Sequence, residues 1–245
     1  KGWISYADAL EVGVAIEDGE RRSFAGQFAT RMGRHDEALA YLNDSLAIAR
    51  ELGDLSRVAI ALQPLGQTYL ALDKLDDARA HLAEALTLAR EIDNPREIVT
   101  ALSSLVQLHR VEGAFEAAEP LCESYLVLAR KLKDRESTAF GLLNLAMVAV
   151  MRRDPARAMN AVIEALPMIE DVGSRPIGQC LLETVAGLVA AREEWHEAAR
   201  FYGAAEREAA ASGLRRDRAD EAFLSEQVAK ARAALGPDAF SRSEQ

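Results

Sequence analysis

Leu62-Gln63-Pro64-Leu65-Gly66-Gln67-Thr68-Tyr69, followed by Ala78, Leu82 and Ala85, is the stretch from which the rest of the chain can be read, because its pattern returns at a fixed interval of 40 residues. Ala38, Ala78, Ala118, Ala158 and Ala198 form one column of small residues. Eight positions later come Leu46, Leu86, Leu126 and Leu166, and three beyond those Ala49, Ala89, Ala129 and Ile169, spacings that share one helix face. In the other half of the unit Leu62, Leu102, Leu142 and Leu182 align, as do Leu65, Leu105, Leu145 and Val185. Each unit thus carries two amphipathic helices. Neither can bury its apolar stripe alone, and stacking against neighbouring units is what such a period implies.

The punctuation agrees. Asp54, Asn94, Asp134 and Ser174 share a column, and each side chain can accept a hydrogen bond from the free amides of a helix start. Asn94 is followed by Pro95 and, three positions on, by Glu97, which combines a rigid first residue with a capping box; Asp154-Pro155 repeats the device. The turns around Gly33, Asp73, Gly113 and Arg153 are too short for anything but an antiparallel hairpin. First helices are expected near residues 16–32, 55–72, 95–112, 135–152 and 175–192, and second helices near 35–52, 75–92, 115–132, 155–172 and 195–212. Residues 1–13 read as the remnant of a preceding repeat, with Gly13 matching Gly53 as a turn. Residues 14–213 hold five repeats (14–53, 54–93, 94–133, 134–173 and 174–213), and 214–245 a capping helix and tail. That helix, Asp220 to Leu235, carries Phe223, Leu224, Val228 and Leu235 and stops at Gly236-Pro237; it is expected to cover the last hydrophobic face. The predicted fold is all-α: a right-handed α-solenoid of about five antiparallel helix-turn-helix repeats with a C-terminal capping helix. The mid-pattern opening, without an initiating Met, suggests a piece of a longer protein.

Composition removes several classes of function. A net charge of −10 and a pI near 5.0 repel a phosphate backbone, and no Lys/Arg cluster is present to release counterions, so direct nucleic-acid contact is not expected. No apolar run approaches the ~18 residues of a membrane span, and Lys1-Gly2-Trp3-Ile4 lacks the design of a signal peptide; a cytoplasmic chain without membrane contact is the expectation. Cys122 and Cys180, far apart in helical patterns, read as reduced buried thiols. The four histidines do not converge. His81 and His109 fall on packing positions of different repeats, His35 and His196 near the starts of second helices, and none has a ligand partner on its own helix. With no phosphate-binding glycine loop either, neither a metal nor a cofactor is expected, and binding is favoured over catalysis.

The second unit, Leu62-Gln63-Pro64-Leu65-Gly66-Gln67-Thr68-Tyr69 with Ala78, Leu82 and Ala85, resembles the tetratricopeptide consensus of large apolar, Leu, Gly, Tyr, then Ala, aromatic or Leu, Ala. Gly26 repeats the glycine, but Val106, Ala146 and Ala186 replace it later, so looser helix pairing is expected there. The long helices resemble the C-terminal repeat arrays of bacterial signalling ATPases of the STAND type, LuxR-type regulators and cyclase-linked proteins. The phrases that carry this are Ala47-Ile48-Ala49-Arg50-Glu51-Leu52-Gly53-Asp54, and Ala198-Ala199-Arg200-Phe201-Tyr202-Gly203-Ala204-Ala205-Glu206 followed by Ala231-Arg232-Ala233-Ala234-Leu235-Gly236. The Trp-containing tail usual in that group past Phe240 is absent. The resemblance implies the sensory or interaction part of a signalling or transcriptional regulator. The alternative is a passive scaffold, or a module that self-associates through open repeat ends.

In stacked hairpins of this type the first helices line a groove. The residues expected to face it are Gln27 and Arg31, then Gln63 and Gln67, then Ser103, Gln107 and Arg110, then Phe140, Asn144, Met147 and Met151. Amides both donate and accept, so the row suits the backbone of a peptide or protein partner, or the hydroxyls of a small inducer; it also suits plain solubility. Met147 and Met151 read either as an adaptable patch or as core. Pro64, Pro120 and Pro167 fall inside helices and are expected to bend them, for function or by drift. The Lys, Asn and Arg clamp of chaperone-binding relatives is not matched here.

Overall fold

The structure, a computed structural model, describes residues 6–213 and 216–244, without the side chains of residues 6–13 and 31. The described residues form twelve helices and no strand: α1 Tyr6–Arg31, α2 His35–Glu51, α3 Leu55–Ala71, α4 Leu75–Glu91, α5 Pro95–Val111, α6 Phe115–Lys131, α7 Arg135–Met151, α8 Pro155–Val172, α9 Arg175–Ala191, α10 Trp195–Ser212, α11 Arg218–Leu235 and α12 Pro237–Glu244. None is long and apolar enough to cross a membrane.

The turns have a finer period than the 40 residues of the sequence. Left-handed backbone recurs every 20 residues, at Gly33, Gly53, Asp73, Asp93, Gly113, Lys133, Arg153, Gly173, Glu193 and Gly213. At most of these the next amide reaches back five residues to the helix it leaves: Asp54 N–H to the Ala49 carbonyl, Asn94 to Ala89, Asp134 to Ala129, Asp154 to Ala149. This is the Schellman closure of a helix C-terminus. The same residue then opens the following helix. The carboxylates of Asp54, Asp134 and Asp154 accept from the amides of Arg57, Ser137 and Arg157, and the Asn94 side chain accepts from Arg96 and Glu97. One residue closing one helix and capping the next is why so few residues join them. Ser174, expected to cap, makes no such bond.

The chain divides into two compact units, residues 1–105 and 106–245. In the first, α1 packs on α2, α2 on α3 and α3 on α4 around Leu42, Leu46, Leu62 and Leu65, each nearly inaccessible to water. Burial of each contributes roughly 1.5–3 kcal/mol. Gly66 is required by this packing, because a methyl group there would stand 2.5 Å from Cγ and Cδ2 of Leu82. Helix α1 passes through Gly13 where a turn is expected: one glycine costs a helix about 1 kcal/mol, too little to break it with no cap or proline behind it.

In the second unit α7 packs against α6, α8 and α9, α9 against α10 and α11, and α12 braces α10. Phe240 of α12 is buried among Val189, Ala198, Ala199 and Ala231 beside Trp195 and Tyr202. The looser pairing expected from the missing glycine is not seen between α7 and α8, which pack as extensively as α1 and α2. Size is exchanged across the contact. Where Gly26 and Gly66 stand, Leu42 and Leu82 lie 16 residues on; after Ala146 the same offset brings the smaller Val162.

Candidate binding surface

In the first unit the expected row of open amides is largely engaged. Gln63 is 4% exposed, and its Nε2 donates to the Glu97 carboxylate at 3.0 Å and to the Glu97 carbonyl at 3.3 Å, tying α3 to α5. Gln63 is therefore packed between helices rather than lining an open wall. Gln67 is exposed and donates to the Ser104 hydroxyl at 3.2 Å, Gln27 is half-buried and donates to Ser23 at 3.2 Å, and Ser103 is half-buried. The Arg31 side chain lies outside the described residues. What is open is a cleft of about 230 Å³ between α1, α2 and α3, walled by Ile16, Phe24, Ile48, Leu52 and Ile60. Ser23 and Gln27 also line it, with the ion pair of Arg57 and Glu20 at 2.7 Å.

Phe24 and Phe28 are 73% and 64% exposed, one turn apart on α1. Forty residues on, and at each further repeat, the Phe24 column holds Pro64, Ser104, Asn144 and Thr184, and the Phe28 column Thr68, Leu108, Val148 and Leu188, all of them buried. These columns meet the first helix of the preceding hairpin: the Thr30 hydroxyl lies 2.8 Å from that of Thr68, and Gln67 reaches Ser104. Two aromatic rings thus stand at positions that every later repeat buries. A comparison along the columns would have found them in the sequence.

In the second unit the expected wall is covered by α11. Asp217, the residue before α11, accepts from the Asp220 amide at 2.8 Å through one carboxylate oxygen and from Gln107 Nε2 at 2.7 Å through the other. Arg110, 6% exposed, donates to Asp220 at 2.8 Å and to Asn144 Oδ1 at 2.8 Å, and also meets the Met147 sulfur. Asn144 and Met147 are buried and Phe140 and Met151 half-buried; the Gln227 amide lies 3.4 Å from the Met151 sulfur. The ring of Phe223 fills the space above Gly187 where a methyl group would otherwise sit. Just upstream, Arg216 pairs with Glu183 at 2.6 Å and with Glu206 at 2.5 Å. So Arg110, Asn144 and Met147 are interior residues. The helix read as an end cap does more than cover the last hairpin, because its polar face is complementary to the polar residues of α5 and α7. Asp217, Asp220, Leu224, Gln227 and Ala231 fall on one stripe at helical spacing, which was the available signal.

With both units in view the chain can be set beside known proteins. Residues 22–91 match the family model of the tetratricopeptide repeat. Within that stretch the hairpins match the tetratricopeptide pattern. Among solved structures, the Rap protein complexed with Competence and Sporulation Factor superimposes with a TM-score of 0.71 at 14% identity, over 92% of this chain and 62% of that one. Aspartyl phosphate phosphatase F from Bacillus subtilis gives 0.64 at 12% identity, over 92% and 61%. The putative kinesin light chain TPR-like repeats of Podosopora anserina give 0.62 at 14% identity, over 79% and 95%. At such identities the likeness is one of fold alone, an all-helical repeat solenoid. The chain spans less than two thirds of the Rap protein and of phosphatase F. No curated protein matches it in sequence.

Among the described residues the reactive side chains are dispersed. Cys122 and Cys180 are free and buried, and burial pushes the Cys122 thiol up to about 12 and that of Cys180 well above its ordinary value. Such thiols are poor nucleophiles. His109 bonds Glu112, His196 bonds Ser243, and His81 stacks 5.0 Å from Tyr69. Among the described residues no three His, Cys, Asp or Glu side chains gather as metal ligands would.

Proposed function

We propose that this chain is a binding module which receives a protein or peptide on the first-helix face of its first unit, as the sensory or interaction part of a bacterial cytoplasmic regulator. The observation that carries the reading is the cleft beside Phe24 and Ile60: apolar walls, a few polar groups at the rim, and an exposed aromatic ring at its edge. Recognition surfaces are built in that way, with aromatic anchors supplying most of the affinity and amides the register. The amide of Gln27 lines this opening. In the second unit α11 lies across Gln107 and Arg110. A photoreactive phenylalanine at position 24 should capture a partner in cells, and the adduct should disappear when Ile60 is changed to Asp. Capture that survives Ile60→Asp would place the partner elsewhere.

A second reading is favoured by one observation, the exposure of Phe24 and Phe28 on columns buried in all later repeats. It is that the face carrying Phe24 and Phe28 pairs with a further helical hairpin, in a second copy or a scaffold partner. Sedimentation tests it: an oligomer that becomes monomeric on Phe28→Asp without loss of helix content supports the reading, and a chain monomeric at all concentrations removes self-association.

A further inference from the structure

The cleft between α1, α2 and α3 exists because one column of the repeat changes size. In the second repeat Gln63 bridges from α3 to α5, its Nε2 donating to the carboxylate and to the carbonyl of Glu97. Forty residues earlier those two positions hold Ser23 and Arg57. Ser23 is too short to cross the gap, and Arg57 is engaged at the rim, its Nη1 2.7 Å from Glu20 and its Nε 3.2 Å from Asp54. A recess of about 230 Å³ is left, walled by Ile16, Ile48, Leu52 and Ile60. An apolar cavity of ~150 Å³ already holds a benzene ring. Among the polar residues lining the recess, Ser45 gives its proton to the Gly19 carbonyl at 2.8 Å and Gln27 gives an amide proton to Ser23, so what they present to an occupant is chiefly acceptor oxygen. Charge at the mouth is unequal, with two carboxylates, Glu20 and Asp54, set against one guanidinium. Glu20 stands one turn before Phe24 on α1, and both side chains are more than half exposed. A carboxylate beside an aromatic ring attracts an ammonium group twice, through its charge and through the ring quadrupole.

We propose that this recess binds a small apolar amine, with its ring or branched chain seated among Ile16, Ile48 and Ile60 and its ammonium group held at the mouth by Glu20 and Phe24. The volume suits a single ring on a short chain. An acid of the same shape brings a third negative charge to the mouth, and a neutral molecule fills the recess without using Glu20. Binding of the amine does not depend on a protein partner. Only its consequence rests on the partner reading: an occupied recess takes Ile60 away from a partner docked at Phe24, which makes the amine a competitor for that face.

The test uses the full chain labelled at its isoleucine methyl groups, with phenethylamine as probe and phenethyl alcohol and phenylpropionate as its neutral and anionic counterparts. Phenethylamine should shift the methyl signals of Ile16, Ile48 and Ile60 saturably and leave those of Ile98 and Ile177 in place. It should bind at least ~3-fold more tightly than the alcohol and ~10-fold more tightly than the acid, as one cation–π contact and one screened ion pair allow. Glu20→Gln should weaken the amine ~3-fold and leave the alcohol unchanged. Ser23→Gln supplies the side chain that the second repeat carries at position 63 and should abolish binding of all three probes at unchanged helix content. Phenylpropionate binding as tightly as the amine overturns the proposal, and so does an amine affinity indifferent to Glu20→Gln. Signals that drift without saturating, or that move equally at Ile98 and Ile177, overturn the site itself, as does undiminished binding to a folded Ser23→Gln chain. Photocapture at position 24 asks about the partner alone; its failure beside saturable amine binding removes the partner reading and leaves this one standing.

Discussion

Arg110 and Asp217 show how a polar position on a helix becomes interior. The Arg110 guanidinium is held by Asn144 and Asp220, and removing it leaves buried carboxylates with no counter-charge. Arg110→Met is expected to lower unfolding free energy by about 3 kcal/mol in urea titration, and a loss below about 1 kcal/mol would contradict this view of the cluster. Asp217 supplies a pH dependence. Burial foremost, and the charge of Asp220 after it, push its carboxyl from 3.8 up to about 7, against the pull of Arg110. The surrounding groups on the facing helices are Gln107, Arg110, Cys180 and Glu183. Because the folded value lies above the unfolded one, the folded state keeps a proton that the unfolded chain has released. Stability contributed by this group therefore declines as pH rises from about 4 to about 7 and is flat beyond. Asp217→Asn should flatten that decline and raise the melting temperature more at pH 8 than at pH 5.

At the scale of the helix, the 20-residue recurrence of left-handed backbone governs the hairpins, and five of its positions are occupied by residues other than glycine: Asp73, Asp93, Lys133, Arg153 and Glu193. An L side chain costs about 1–2 kcal/mol in that conformation, while glycine loses roughly 0.5–1 kcal/mol more backbone entropy. Glu193→Gly and Lys133→Gly should each stabilise the chain by up to about 1 kcal/mol, read as a rise in denaturation midpoint; a fall would mean the turns are held by their side chains. The close helix pairs give the opposite sign. Gly66→Ala drives a methyl group onto Leu82 and should cost ~1–3 kcal/mol, part of which Leu82→Val recovers in a double-mutant cycle.

At the scale of the whole chain, α11 covers polar first-helix residues of the second unit, Gln107 and Arg110 among them. Deleting residues 217–245 removes the buried side chains Phe223, Leu224 and Phe240, each contributing roughly 1.5–3 kcal/mol, and uncovers Arg110. In a Trp3→Phe background, fluorescence of Trp195 reports the second unit, and its transition should fall by at least ~10 °C on deletion. An unchanged transition would mean that α11 and α12 contribute nothing to the unit they cover.

The sequence by itself determined the helices, their pairing and their period, because helix stripes, caps and the small-residue columns of Ala38, Ala78, Ala118, Ala158 and Ala198 are set by residues within one repeat or its neighbour. It also made Asp54, Asn94, Asp134 and Asp154 legible as caps, for a cap bonds only a few residues away. Which polar residues stay open was decided by tertiary structure alone. Gln63 meets Glu97 in the next repeat, 34 residues on, whereas Gln107 and Arg110 meet partners 110 residues on, beyond any neighbouring repeat. A glutamine facing water and one facing a distant aspartate look the same in a single repeat; only the path of the chain after Gly213 brings the aspartate there.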